Sequence, residues 1–160
     1  LPPLRKPPNG NFFVYGADCW GWATWQRAWK GFVSDGQVLL DRVARSPRRR
    51  LFDYIGSLPH TSMLEGYLAG RNDSWAIRWH ASNFLEGKLT LHPARSLVIN
   101  IGLDGSGTHC SDKDDMNAAL LDEPLPVKRI PLEHSEVCWR KFQRQFIEQT
   151  ARRVLKRIWR

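Results

Sequence analysis

Cysteine is scarce in this chain: Cys19, Cys110 and Cys138 stand at scattered spacings, with no Cys-x-x-Cys pair. That excludes a zinc ribbon and a dense disulfide framework, and it favours a reduced, intracellular compartment. No stretch approaches the ~18 consecutive apolar residues of a membrane span. The glycines and prolines follow no period, so neither collagen nor low-complexity architecture applies. There is no internal repeat, no Walker pattern and no dinucleotide fingerprint. Tyrosine is rare, three residues, whereas tryptophan occurs eight times. Such a supply of large rings with a polar N–H implies a sizeable core, a stacking surface, or both.

What is present has ordinary globular proportions, 42% hydrophobic and 25% charged in 160 residues. A disordered chain is thereby excluded, and one domain or a piece of a larger protein is implied. The net charge of +8 is localised. Between Arg140 and Arg160 eight basic residues stand against Glu148 alone, which leaves the rest nearly neutral. Basic residues do not interleave with aromatics on strands, so the charge does not read as a nucleic-acid interface. The opening Leu-Pro-Pro-Leu-Arg-Lys-Pro-Pro reads as a linker cut from something longer.

Phe12 to Tyr15 is aromatic and β-branched, a strand that enters Gly16. Trp25, Ala28, Trp29 and Phe32 recur at helical spacing and predict a helix over 23–32. Val38 to Ala44 predicts a second, closed by Ser46-Pro47 and the exposed run Arg48-Arg49-Arg50. A third begins after Pro59, with Thr61 or Ser62 as cap and Glu65 placed for a capping box, and stops at Gly70. A fourth follows Asn72-Asp73-Ser74 and is apolar on more than one face, hence buried on most sides. Strands are expected at Lys88–His92, Leu97–Ile101 and, as an edge, Val127–Ile130; a long helix spans Glu136–Trp159. The class is mixed α/β with few strands: an incomplete domain with its helices packed on one side.

Asp73 admits two readings. A carboxylate at a helix start accepts backbone N–H bonds and is a structural cap. The same donors keep it ionised, as a general base requires. The loop Gly102 to Ser111 has bare amides suited to an anion, with Asp104 and His109 as lone metal-ligand types, but an ordinary surface loop reads the same way. Asp112-Lys113-Asp114-Asp115 holds an Asp-x-Asp without a hydrophobic strand before it, and reads as solvated loop. Trp20, Trp22, Trp25, Trp75 and Trp79 form either aromatic platforms for sugar rings or core. In the last helix Val137 or Cys138, Phe142, Phe146, Thr150, Val154 and Ile158 recur at about four residues, flanked by bases. That element suits an anionic membrane surface, or docking on its own domain.

Taken together, Cys19-Trp20-Gly21-Trp22-Ala23-Thr24-Trp25, Asn72-Asp73-Ser74-Trp75-Ala76-Ile77-Arg78-Trp79 and Asn100-Ile101-Gly102-Leu103-Asp104-Gly105 through Cys110 resemble bacterial family 2 glycosyltransferases of the A-type nucleotide-sugar fold. The similarity runs from about Phe12 to Pro131. It implies the acceptor-side, C-terminal portion of that fold, mostly helical with a few strands. Residues 1–11 would be a Pro-rich linker, 12–131 a partial transferase domain, and 132–160 a basic amphipathic helix.

By the resemblance, Asp73 falls on the catalytic base that takes the acceptor hydroxyl proton in an inverting transfer. Asn72 replaces its usual acidic partner, and Arg78 follows as in the family. Trp20, Trp22 and Trp75 fall on substrate-binding segments. Asn100 stands where a His commonly ligates a divalent ion, Mg or Mn, and His109 is the substitute ligand. The partners implied are a nucleotide-sugar donor, a saccharide or lipid-linked acceptor, an N-terminal half in cis or trans, and an anionic membrane, with no nucleic acid. The implied location is cytoplasmic, peripheral on the inner face of the membrane, with no transfer by this chain alone. The other reading is a non-catalytic module that binds carbohydrate or a lipid carrier.

Overall fold

The computed structural model describes residues 4–99, 124 and 128–158. Its elements in chain order are β1 (Phe12–Tyr15), α1 (Gln26–Trp29), α2 (Gly36–Arg45), α3 (Arg49–Phe52), α4 (His60–Leu68), α5 (Trp75–Leu85), β2 (Leu89–His92) and α6 (Glu136–Ile158). The chain is a mixed helix and strand protein, dominated by helix. β1 and β2 form one antiparallel pair, in the register Phe12 with His92 through Tyr15 with Leu89. On its other edge β1 takes a single parallel bridge, Phe13 to His134, and Ser135 N–H donates to the Phe13 carbonyl at 2.8 Å.

Strand alternation gives β1 two cores. Phe12 and Val14 face Leu4, Tyr54 and the inner side of α6, where Cys138, Trp139, Phe142 and Phe146 recur at helical spacing and are all buried. Tyr15 points the other way, onto Phe84 of a second core built by α2, α4 and α5 around Leu39, Val43, Phe52, Leu64, Ile77 and Ala81. Leu51 packs against both. Helices therefore flank both faces of the strand pair, not one, because Tyr15 has its own partner layer. Gly16 turns the chain out of β1 at φ +88°, and a Cβ there would sit 2.4 Å from His80 Cε1.

Several expected elements differ. The 23–32 helix shrinks to α1, because Trp25 is extended and no side chain caps the start; the extended approach lets Trp22 reach α5. Neither Thr61 nor Ser62 caps α4. The Asp53 carboxylate does so from beyond α3, accepting from Thr61 N–H at 2.8 Å and Thr61 Oγ1 at 2.6 Å. Leu97–Ile99 form no strand, since Ser96 Oγ donates to the Val98 carbonyl at 2.7 Å and offers a local alternative to a ladder. Lys128–Ile130 are likewise irregular. The Arg48–Arg50 run is no simple solvated stretch: Arg48 lies 4.9 Å over the Tyr15 ring. In α6 the docked stripe is Cys138, Trp139, Phe142 and Phe146, while Val137 and Val154 are exposed.

Candidate functional site

Trp75 and Trp79 stand four residues apart on α5 and so share one face. Trp22, from the segment after Gly16, lays its ring 5.5 Å from Trp75 and 6.1 Å from Trp79. Trp29 of α1 completes the group, 4.8 Å from Trp79 and 5.0 Å from Phe32, on which it stacks. Trp79 is buried and anchors the cluster. Trp75 of the same group is 41% exposed, and Trp20 and Trp25, which line the adjoining cleft, are 42% and 66% exposed. Half-burial of so many indoles is costly unless something else covers them.

Beside the cluster lies a cleft of about 1190 Å³. Trp20, Trp22, Trp25 and Trp79 line it together with Leu89, Leu91, Leu97, Val98 and Ile99. Its polar fringe includes Asp18, Thr24, Asn83, Lys88 and Thr90. Gly21 lets the two lining segments approach: at φ +58°, its missing Cβ would meet Val98 Cγ1 at 2.5 Å, so Val98 packs on the Trp20–Trp22 segment only because this position is glycine. Leu97 to Ile99 belong to the strand expected over Leu97–Ile101, and no sequence signal marks them as part of the lining. Their local Ser96 turn, invisible to hydropathy, is what presents them.

The other expected residues are placed as follows. Trp20 and Trp22 line the cleft, and Trp75 packs behind Trp22. Asn72 and Asp73 border a different, shallow hollow with Tyr67, Leu68, Gly70 and Arg71. Asn72 Nδ2 donates to the Met63 carbonyl at 3.1 Å and its Oδ1 accepts from Ser74 N–H, also at 3.1 Å, tying α4 to the start of α5. The cap of α5 is Ser74, whose Oγ accepts from Ile77 N–H at 3.3 Å. Asp73 is exposed and, among the described residues, makes no side-chain hydrogen bond. Arg78 is a tie between elements: it donates to the Ser34 carbonyl and Tyr67 Oη, each at 3.0 Å, and lies 4.2 Å over the Tyr67 ring. Asn100, His109 and the rest of the Gly102–Ser111 loop lie outside the described residues.

Histidines form an inner group that sequence reading did not single out. His60 and His80 rings are 4.5 Å apart, and His60 Nδ1 donates to the Phe52 carbonyl at 2.7 Å. His80 Nδ1 lies 2.9 Å from the Ala17 carbonyl, and its Nε2 is buried with no hydrogen-bond partner among the described residues. Burial, then the His60 charge, push the His80 pKa down to about 3. Burial likewise lowers His60, and takes His92 to about 3. These imidazoles are neutral at physiological pH. Cys19, whose thiol is pushed up to about 11 chiefly by burial, is no thiolate. No group of three or more His, Cys, Asp or Glu among the described residues fits a metal ion. Nor is any helix there long and apolar enough to cross a membrane. Comparison with protein-family models, with curated proteins and with solved structures finds no match for this chain.

Proposed function

We propose that the chain recognises a saccharide, free or lipid-linked, in the tryptophan-lined cleft, as the acceptor side of an inverting transfer from a nucleotide-sugar donor. The observation that carries the reading is a cleft lined jointly by indoles and aliphatic side chains. Aromatic faces stack on the C–H faces of sugar rings, and Thr24 and Lys88 in the lining offer partners for hydroxyls. The aliphatic part of the lining, Leu91 and Leu97 to Ile99, suits the first apolar units of a lipid carrier. The finer fold assignment belongs to the same proposal. A small strand pair with flanking helices is compatible with the acceptor-side portion of an A-type nucleotide-sugar fold, the donor-binding strands being supplied in cis or trans.

In the transfer Asp73 would be the general base, acting from the hollow it borders at the start of α5, distinct from the tryptophan cleft, on an acceptor that reaches both. Its carboxylate is not committed to capping, since Ser74 has that task, and it is exposed at the end of α5 that carries Trp75. The divalent ion implied for such enzymes has no ligand set among the described residues, and no step is assigned to it.

The test has two arms. Titration of oligosaccharides and of a lipid-linked saccharide should change the intrinsic fluorescence of the chain, and Trp20→Ala with Trp25→Ala should abolish the change without lowering the melting temperature. Unchanged fluorescence with every saccharide tried would overturn the recognition reading. In a reconstituted enzyme carrying the donor half, Asp73→Asn should slow transfer by about 10²–10⁴. A variant within a few-fold of wild type, equally stable, would leave binding as the whole function.

A further inference from the structure

The long helix α6 has two unlike sides. Cys138, Trp139, Phe142 and Phe146 bind it to β1 and Tyr54. Phe146 is the last buried residue described in it, and the helix runs on for roughly 18 Å at 1.5 Å per residue. Along the opposite side Arg140, Arg144, Ile147, Ala151 and Leu155 succeed one another at three- and four-residue spacings, so they form one row. All five are exposed. Ile147 shows 52% of its surface and Leu155 55%. Gln149, Thr150 and Val154 border a groove against residues 56–62, which keeps the row turned away from the body of the protein.

Charge selects the occupant of this row. Residues 147–158 hold Arg152, Arg153, Lys156 and Arg157 against Glu148 alone, and Glu148 is paired to Arg5 at 2.9 Å. Of the exposed cations, Arg144 lies in the row and Arg152 borders it three residues before Leu155, whereas positions 153, 156 and 157 fall by helical spacing on the other side. A second copy of so basic a helix would be repelled. Nucleic acid would satisfy Arg144 and Arg152 yet leave Ile147 and Leu155 uncovered. A surface that offers negative headgroups above an apolar layer satisfies both. We propose that the outward face of the second half of α6 docks on an anionic lipid bilayer, with Ile147, Ala151 and Leu155 entering the headgroup–acyl boundary and Arg144 and Arg152 meeting the headgroups. The proposal does not depend on what the tryptophan cleft binds.

Co-sedimentation of the whole chain with phosphatidylcholine vesicles, with and without phosphatidylglycerol, tests it. Binding is expected only with the anionic lipid, weakening as salt is raised. Arg144→Gln with Arg152→Gln should lower affinity roughly 25-fold, from about fivefold per cation near such a surface. Ile147→Ser with Leu155→Ser should lower it at least as much with net charge unchanged. All four positions are exposed, so melting temperature and far-UV circular dichroism should match wild type. Three results would overturn the proposal: no enrichment on anionic vesicles, full binding by the Ile147→Ser, Leu155→Ser variant, or tighter binding to duplex DNA than to vesicles. A dimer in sedimentation equilibrium that Leu155→Ser dissociates would assign the face to a second copy instead.

Discussion

Buried histidines oppose folding at acid pH. His80 and His92 are held near pKa 3 against an ordinary value of 6.5, chiefly by burial. Between those values the unfolded chain binds protons that the native state refuses. Stability therefore rises with pH across the window, is complete above about 6.5, and falls as pH drops toward 3. The slope is about 1.4 kcal/mol per pH unit for each such group. His60 is shifted in the same direction and lies against His80, so the two cannot both charge at moderate cost. His92 stacks on Phe12 at 5.5 Å and edges Phe142 at 6.3 Å, surroundings that a phenyl ring would also suit. His92→Phe should flatten the fall of the urea midpoint between pH 6 and pH 4 by one proton's worth. An unchanged slope would mean that His92 titrates in the native state.

Elements were legible where one local cause decides them. β1 follows from its aromatic and β-branched run and β2 from alternation, and α2 is stopped by Ser46-Pro47 as its dipeptide implies. α5 is buried on most sides, as its pattern of Ile77, Trp79, Ala81 and Phe84 requires. Reading failed where the cause is remote. The cap of α4 is Asp53, eight residues before Thr61, so a search for S/T-x-x-E within the helix picks the wrong residue. In the site, Trp20 and Trp22 could be found because tryptophan is conspicuous, whereas Leu97 to Ile99 and His80 acquire their places only through packing. Asp53 gives a direct test of the remote cap. Asp53→Ala removes two bonds to Thr61, of 2.8 and 2.6 Å, and should cost about 1–2 kcal/mol. Hydrogen exchange should show the loss first in the amides of the opening turn of α4. Uniform loss of protection throughout the chain would assign Asp53 a global role in place of a capping one.

Among the described residues, two aromatic-rich cores share one narrow strand. Phe12 and Val14 belong to the α6 side, Tyr15 to the α2–α4–α5 side, and Leu51 touches both. A four-residue strand with a single partner strand is marginal by itself, so its persistence depends on being filled from both faces. It follows that neither core should open alone. Phe142 is fully buried and packs on Phe12 and Phe146, at ring distances of 6.0 and 6.3 Å. Its truncation to Ala should cost about 3–5 kcal/mol. If the cores are coupled, native-state hydrogen exchange of Phe142→Ala should show the same loss of protection in α2 and α5 as in α6, although Phe142 belongs to the α6 core and not to the α2–α4–α5 one. Independent units would give the other pattern, with α6 and β1 losing protection while Leu39, Val43 and Ile77 keep theirs. That outcome would make α6 a separately opening lever on the α2–α5 body. The coupled outcome makes the placement of its outward row, and the shape of the tryptophan cleft, consequences of one cooperative fold.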